Sequence, residues 1–172
     1  TYKVINEVTS NYETGLLPDF ITKKSDGSFD ASRANFLEGE SDGKYYYNSC
    51  RTPWRIGSDY LINENQNAKE LMVKLNNWII SATGGNPTKI RAGYDLDGNA
   101  YANWEDLCFS APFLIAAKCD ESNPEWEKAM FDFIVNYDTD VYYGDTIKML
   151  CLITYADSWI VPTMSTNVIG DV

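Results

Sequence analysis

Histidine is absent from the 172 residues, which removes the commonest general base and the usual partner of a serine or cysteine nucleophile. Acid–base chemistry in this chain therefore falls to carboxylates. Cysteine is sparse: Cys50, Cys108, Cys119 and Cys151 are far apart with no C-x-x-C pair. Without histidine to complete a tetrahedral set, a zinc site is not expected, nor is any other metal or cofactor. The four thiols read as small buried hydrophobes. Cations are scarce, with 14 Lys+Arg against 25 Asp+Glu and a formal net charge of −11, so nucleic acid and anionic membranes are not expected as partners. No apolar run is long enough for a bilayer, and no basic-then-apolar leader opens the chain. The opening TYKVINEV reads as cut from something longer.

The chain has one domain's worth of residues, of which 44% are hydrophobic and 14% aromatic, enough for a sizeable core. Tyr2 to Tyr12 forms a short helix by pattern, stopped by Gly15 and Pro18. From Pro18 to Tyr47 the turn signals Asp26-Gly27, Gly39 and Asp42-Gly43 punctuate a long polar segment with no helical period. The apolar residues Phe20, Phe29, Phe36 and Leu37 within it, with Leu16 and Leu17 just before it, predict a docked loop. A helix opens near Pro53, where a missing N–H costs nothing. The next has a capping-box-like start at Asn67-x-x-Glu70 and carries Ala68, Leu71, Met72, Leu75, Trp78 and Ile79 at i, i+3, i+4, i+7 spacing before Gly84-Gly85. Asp95 to Asn99 predicts a tight Asp-Gly turn, since the bidentate Glu of a calcium loop is missing. Further helices run from Trp104, with a kink at Pro112, from the Asn123-Pro124-Glu125 start, and from near Asp145 as cap. Some six helices without a convincing strand make an all-α array of helical hairpins.

The densest chemistry lies in Asn35 to Leu61, NFLEGESDGKYYYNSCRTPWRIGSDYL. An acidic, glycine-punctuated loop carries Glu38, Glu40 and Asp42, and the aromatic run Tyr45, Tyr46, Tyr47 leads into the helix at Pro53. Carboxylates and rings thus gather at a helix N-terminus, whose free N–H groups favour anions and polar ligands.

This stretch, with PDFI (Pro18 to Ile21), GYDLDG (Gly93 to Gly98) and YYGDTIKMLCLI (Tyr142 to Ile153), resembles the C-terminal half of the catalytic domain of glycoside hydrolase family 8. The Tyr-Asn-x-Cys-Arg-x-Pro-Trp-Arg run is the most specific part. The resemblance implies helical hairpins forming about half of an (α/α)6 barrel over residues 1–162, and inverting endo-hydrolysis of β-1,4-linked glycans, cellulose or other β-glucan, or chitosan. Inversion needs an acid for the leaving oxygen and a base for water, roughly 6.5–9.5 Å apart. One branch of the family has the base Asp just before the x-x-Arg; here that place is Asn48. Another branch, of chitosanases, lichenases and endoglucanases, has Asn there and a Glu about ten residues earlier, which points to Glu38 as general base.

On this reading Asn48 and Arg51 orient the base or contact substrate, and Tyr47 and Trp104 are sugar-stacking platforms. Glu40 and Asp42 are the runners-up for base, and Arg51 in an ion pair with a core carboxylate is the plainer alternative. The family's proton donor lies in the N-terminal half of the barrel, so the expected partners are a polysaccharide and either that half or a second copy. Residues 163–172 read as a linker, with Gly170-Asp171-Val172 like the start of a dockerin. That would make the protein extracellular and possibly attached to a cellulosome scaffold. Two other classes stay open: a non-catalytic glycan-binding module, and the structural half of a helical toroid with different chemistry.

Overall fold

The computed structural model describes residues 1–160, so the expected linker and dockerin start lie outside the described residues. In chain order come α1 (Tyr2–Thr9), the strands β1 (Ile21–Lys23) and β2 (Phe29–Ala31), α2 (Thr52–Asn63), α3 (Gln66–Thr83), α4 (Leu107–Cys119), α5 (Pro124–Asn136) and α6 (Tyr142–Tyr155). The fold is all-α, as the apolar periodicity predicts. At its centre is α4, in which every residue but Lys118 is buried. A helix apolar all round can exist only where other helices cover it, and α2, α3, α5 and α6 all pack on α4. Phe109, Phe113, Leu114 and Ile115 are fully buried there, each contributing about 1.5–3 kcal/mol of transfer free energy. The helix continues through Pro112, although proline lacks the N–H that would bond the Cys108 carbonyl. Among the described residues no helix is long and apolar enough to cross a membrane.

Helix starts differ from the sequence expectations because side-chain hydrogen bonds, invisible to periodicity, set them. α3 is capped by Asn65, whose side chain accepts from the Asn67 N–H, so Asn67 is inside the helix. Its end is as expected, at Gly84 with φ +63°. α4 starts at Leu107 under the Asp106 side chain, which leaves Trp104 in the preceding loop rather than in a helix. At α5, Pro124 occupies the first turn, yet Asn123 gives no side-chain cap, since its amide donates to Asp120 instead. α6 begins at Tyr142, and Asp145 accepts from Thr139 rather than capping.

The long polar segment does contain strands, contrary to expectation. β1 and β2 pair antiparallel with Ile21 opposite Ala31 and Lys23 opposite Phe29, around the Asp26-Gly27 turn in which Asp26 accepts from the Ser28 N–H and hydroxyl. Three-residue strands are too short to declare a period of two. Leu16 and Leu17 are buried as expected of a docked loop, whereas Phe36 and Leu37 are exposed. The Asp95 turn closes through a Gly98 N–H to Asp95 carbonyl bond. All four cysteines are free and buried.

Candidate active site

The loop that carries Glu38 is shaped by a buried carboxylate. Asp42 accepts from the backbone N–H groups of Leu37, Glu38 and Gly39 at 2.6, 3.0 and 2.8 Å. Burial pushes the Asp42 carboxyl up, but these N–H donors together outweigh it and hold it below the ordinary carboxylate range. With its oxygens engaged this way, Asp42 is the fastener of the loop and not a candidate base. The loop closes again where Asn35, at φ +56°, donates its N–H to the Gly39 carbonyl. Glu38 is left exposed on this fixed turn.

A second carboxylate organises the other side. Asp19 Oδ1 accepts from the N–H groups of Tyr46 and Ser49 and from the Ser49 hydroxyl, at 3.0, 2.8 and 2.6 Å. Its Oδ2 accepts from the Asn48 N–H at 3.1 Å and faces Asn48 Nδ2 at 3.4 Å. The same Nδ2 donates to Glu38 Oε2 at 2.8 Å, so the structure brings Glu38 and Asn48 together across ten residues. Arg51 sits on the short 3-10 turn Ser49–Arg51 and donates from Nε to the Asn48 carbonyl at 3.3 Å. Among the described residues no carboxylate pairs with it.

Tyr47 and Trp104 form a neighbouring group. The Tyr47 hydroxyl donates to Asp106 Oδ2 at 3.0 Å, and Asp106 Oδ1 caps α4 through the Cys108 N–H. Burial first, and then the Asp106 carboxylate, push the Tyr47 hydroxyl well above the usual tyrosine range, while the Trp104 indole beside it pulls the other way. The Tyr143 hydroxyl donates to the Tyr47 carbonyl, tying this turn to α6. Trp104 is 47% exposed, so its ring is free to meet a ligand. Tyr45 is not: it is 1% exposed, and its ring packs on Phe109 and Phe113.

Glu38 is exposed and Asn48 half-buried. A concavity of about 620 Å³ at the start of α5 is lined by Gly85, Ser122 and Trp126, and another of about 310 Å³ by Tyr12, Glu40, Lys44 and Asp95. Neither includes Glu38, Asn48, Arg51, Tyr47 or Trp104. Among the described residues one Glu38 oxygen has a donor and the other has none, an arrangement suited to taking a proton from water. The sequence reading missed Asp19 and Asp106 as members of this site, although Asp19 lies within the Pro18 to Ile21 motif.

No protein-family model matches the chain. Over 161 residues, 92% of its length, it is 37% identical to a beta-glucanase of Niallia circulans and 31% identical to an endoglucanase of Bacillus sp. (strain KSM-330). The apo structure of a beta-1,3-1,4-glucanase from Paenibacillus sp. X4 superposes with a TM-score of 0.90 at 35% identity, covering 94% of this chain and 43% of that one. A GH8 xylobiose complex from Teredinibacter turnerae has a TM-score of 0.69 at 16% identity over 92% of this chain and 38% of that one, a likeness of fold alone. The chain spans 39% and 34% of the lengths of its two sequence relatives. In sequence and fold it is similar to a stretch of glycoside hydrolases. Its helical hairpins form part, about half, of an (α/α)6 barrel.

Proposed function

We propose that this chain is the part of an inverting endo-β-1,4-glycan hydrolase that supplies the general base, and that Glu38 is that base. The observation that carries the reading is the 2.8 Å bond from the Asn48 amide to Glu38: an exposed carboxylate, held by one donor, whose other oxygen has no donor among the described residues. The position where a base Asp is expected holds an amide that instead steadies the Glu ten residues earlier. Water activated by Glu38 attacks the anomeric carbon as the glycosidic C–O bond breaks, and an acid outside these residues protonates the leaving oxygen. Arg51 holds the turn that presents Asn48, and Tyr47 and Trp104 offer ring faces to the sugar chain. The names of the relatives favour a β-glucan over chitosan. An extracellular site of action, and assembly with the remainder of the catalytic domain, follow from that reading.

The test uses the longer protein that carries this stretch, assayed on mixed-linkage β-glucan, carboxymethylcellulose and chitosan. Glu38→Gln should lower turnover roughly 10²–10⁴-fold, the usual worth of a general base, and the first-formed product should have inverted anomeric configuration by NMR. The 172-residue chain alone should release no reducing sugar. Wild-type turnover by the Glu38→Gln protein, or a retained anomer, would sink the reading. The exposed Trp104 ring supports a second reading, glycan binding without turnover, which predicts affinity for β-glucan with no hydrolysis in the longer protein.

A further inference from the structure

We propose that Asp19 is a positioning residue for the base, acting by fixing which way the Asn48 amide faces; the inference rests on Glu38 being that base. An ionised carboxylate only accepts, so every group directed at Asp19 must present a hydrogen. Asn48 Nδ2 lies between Asp19 Oδ2 at 3.4 Å and Glu38 Oε2 at 2.8 Å, so the nitrogen that donates to Glu38 also faces a second carboxylate. A flipped amide would set Oδ1 against both. Asp19 thus selects the orientation in which Asn48 donates to Glu38.

The position of Asp19 is itself determined from several sides. Its own N–H donates to the Lys44 carbonyl, and the next residue, Phe20, donates to the Asp42 carbonyl. Asp42 in turn holds the N–H groups around Glu38. The segment 18–20, the Glu38 loop and the turn 46–49 are therefore one hydrogen-bonded assembly. It makes rigid a base that would otherwise be a flexible, exposed side chain. Misplacing a reacting group by about 1 Å can cost roughly 10²-fold in rate, which sets the expected size of the effect.

The experiment uses azide as a probe in the longer protein, with Asp19→Asn, Asn48→Ala and Glu38→Ala compared on one β-glucan. Azide needs no base. It forms the bond to the anomeric carbon itself as the glycosidic C–O bond breaks, the leaving oxygen takes its proton from the acid, and a glycosyl azide of inverted configuration results. Asp19→Asn should lower kcat about 10- to 100-fold with little change in KM, and azide should restore much of it, as it should for Glu38→Ala. If azide fails to rescue Glu38→Ala, the base assignment itself is wrong. If Glu38→Ala is rescued but Asp19→Asn keeps wild-type kcat, or loses kcat that azide does not restore, the role of Asp19 is overturned. Should Asp19→Asn fail to fold, Asn48→Ala decides, because it leaves the Asp19 bonds to Tyr46 and Ser49 in place: a rescued loss of kcat supports the proposal, and wild-type kcat overturns it.

Discussion

Asp106 divides its two oxygens between a helix and a ring, Oδ1 capping α4 and Oδ2 holding the Tyr47 hydroxyl. The two duties separate by substitution. Asp106→Ala removes the cap and should cost about 1 kcal/mol, read as a lowered urea midpoint, whereas Asp106→Asn keeps a capping oxygen and should lose much less. Equal losses for the two would show that the Tyr47 bond, not the cap, matters for stability. Nothing in the sequence pattern marks this residue, since a lone acid beside Glu105 repeats at no helical or strand spacing. Asp19 escaped notice for a similar reason. A single acid between Pro18 and Phe20 has no periodicity, and its donors lie at Tyr46, Asn48 and Ser49, far along the chain. That Glu38 and Asn48 meet was legible because their ten-residue spacing is itself a pattern, matched to a family motif; their roles belong to the proposal.

Helices α3, α4 and α5 were legible because burying one face, or all faces, writes a 3.6-residue rhythm into the apolar positions. Their starts were not, since a cap such as Asn65 or Asp106 is one polar atom meeting one N–H. Nor was the close contact of α2 with α4, which depends on an absent side chain. A Cβ built on Gly57 would stand 2.6 Å from Ile115 Cγ2 and 3.4 Å from Cys119 Sγ. Gly57→Ala gains about 0.8–1 kcal/mol in helix propensity, but overpacking a full core costs about 1–3 kcal/mol. The Ile115 methyl has little room to yield, because a β-branched residue in a helix has one preferred rotamer. The expected outcome is a net loss of about 1 kcal/mol by urea unfolding. Combined with Ile115→Ala, which deletes the obstructing methyl, Gly57→Ala should cost nothing further; undiminished cost in that background would show that the clash is not with Ile115.

Several carboxylates bind distant segments together, and their titration should govern stability in acid. Asp59 is held below the ordinary range by the Tyr2 hydroxyl first and then by Asn63, against the opposing effect of burial, and so ties α1 to α2. For Asp120, as for Asp42, burial raises the carboxyl but donors outweigh it, here Ser122, Asn76 and Asn123. Asn76 is fully buried and also accepts from the Trp126 indole, so this network joins α3 to α5. In each case the folded pKa lies below the unfolded value of about 3.9, and near that pH the unfolded chain binds more protons. Their contribution is then fully present above about pH 4 and is lost as pH falls through the folded values. The net charge of −11 acts in the other direction: self-repulsion eases as pH falls from 7 toward the sequence pI of about 4.3. Urea midpoints should therefore hold or rise slightly between about pH 7 and 5 and drop steeply below about pH 4. Asp120→Asn cannot titrate, and it turns an amide NH₂ toward donors. It should be less stable than the parent at neutral pH and lose less on acidification. An acid limb as steep in Asp120→Asn as in the parent would exclude Asp120 from the effect, and a midpoint unchanged down to about pH 3 would exclude the whole set.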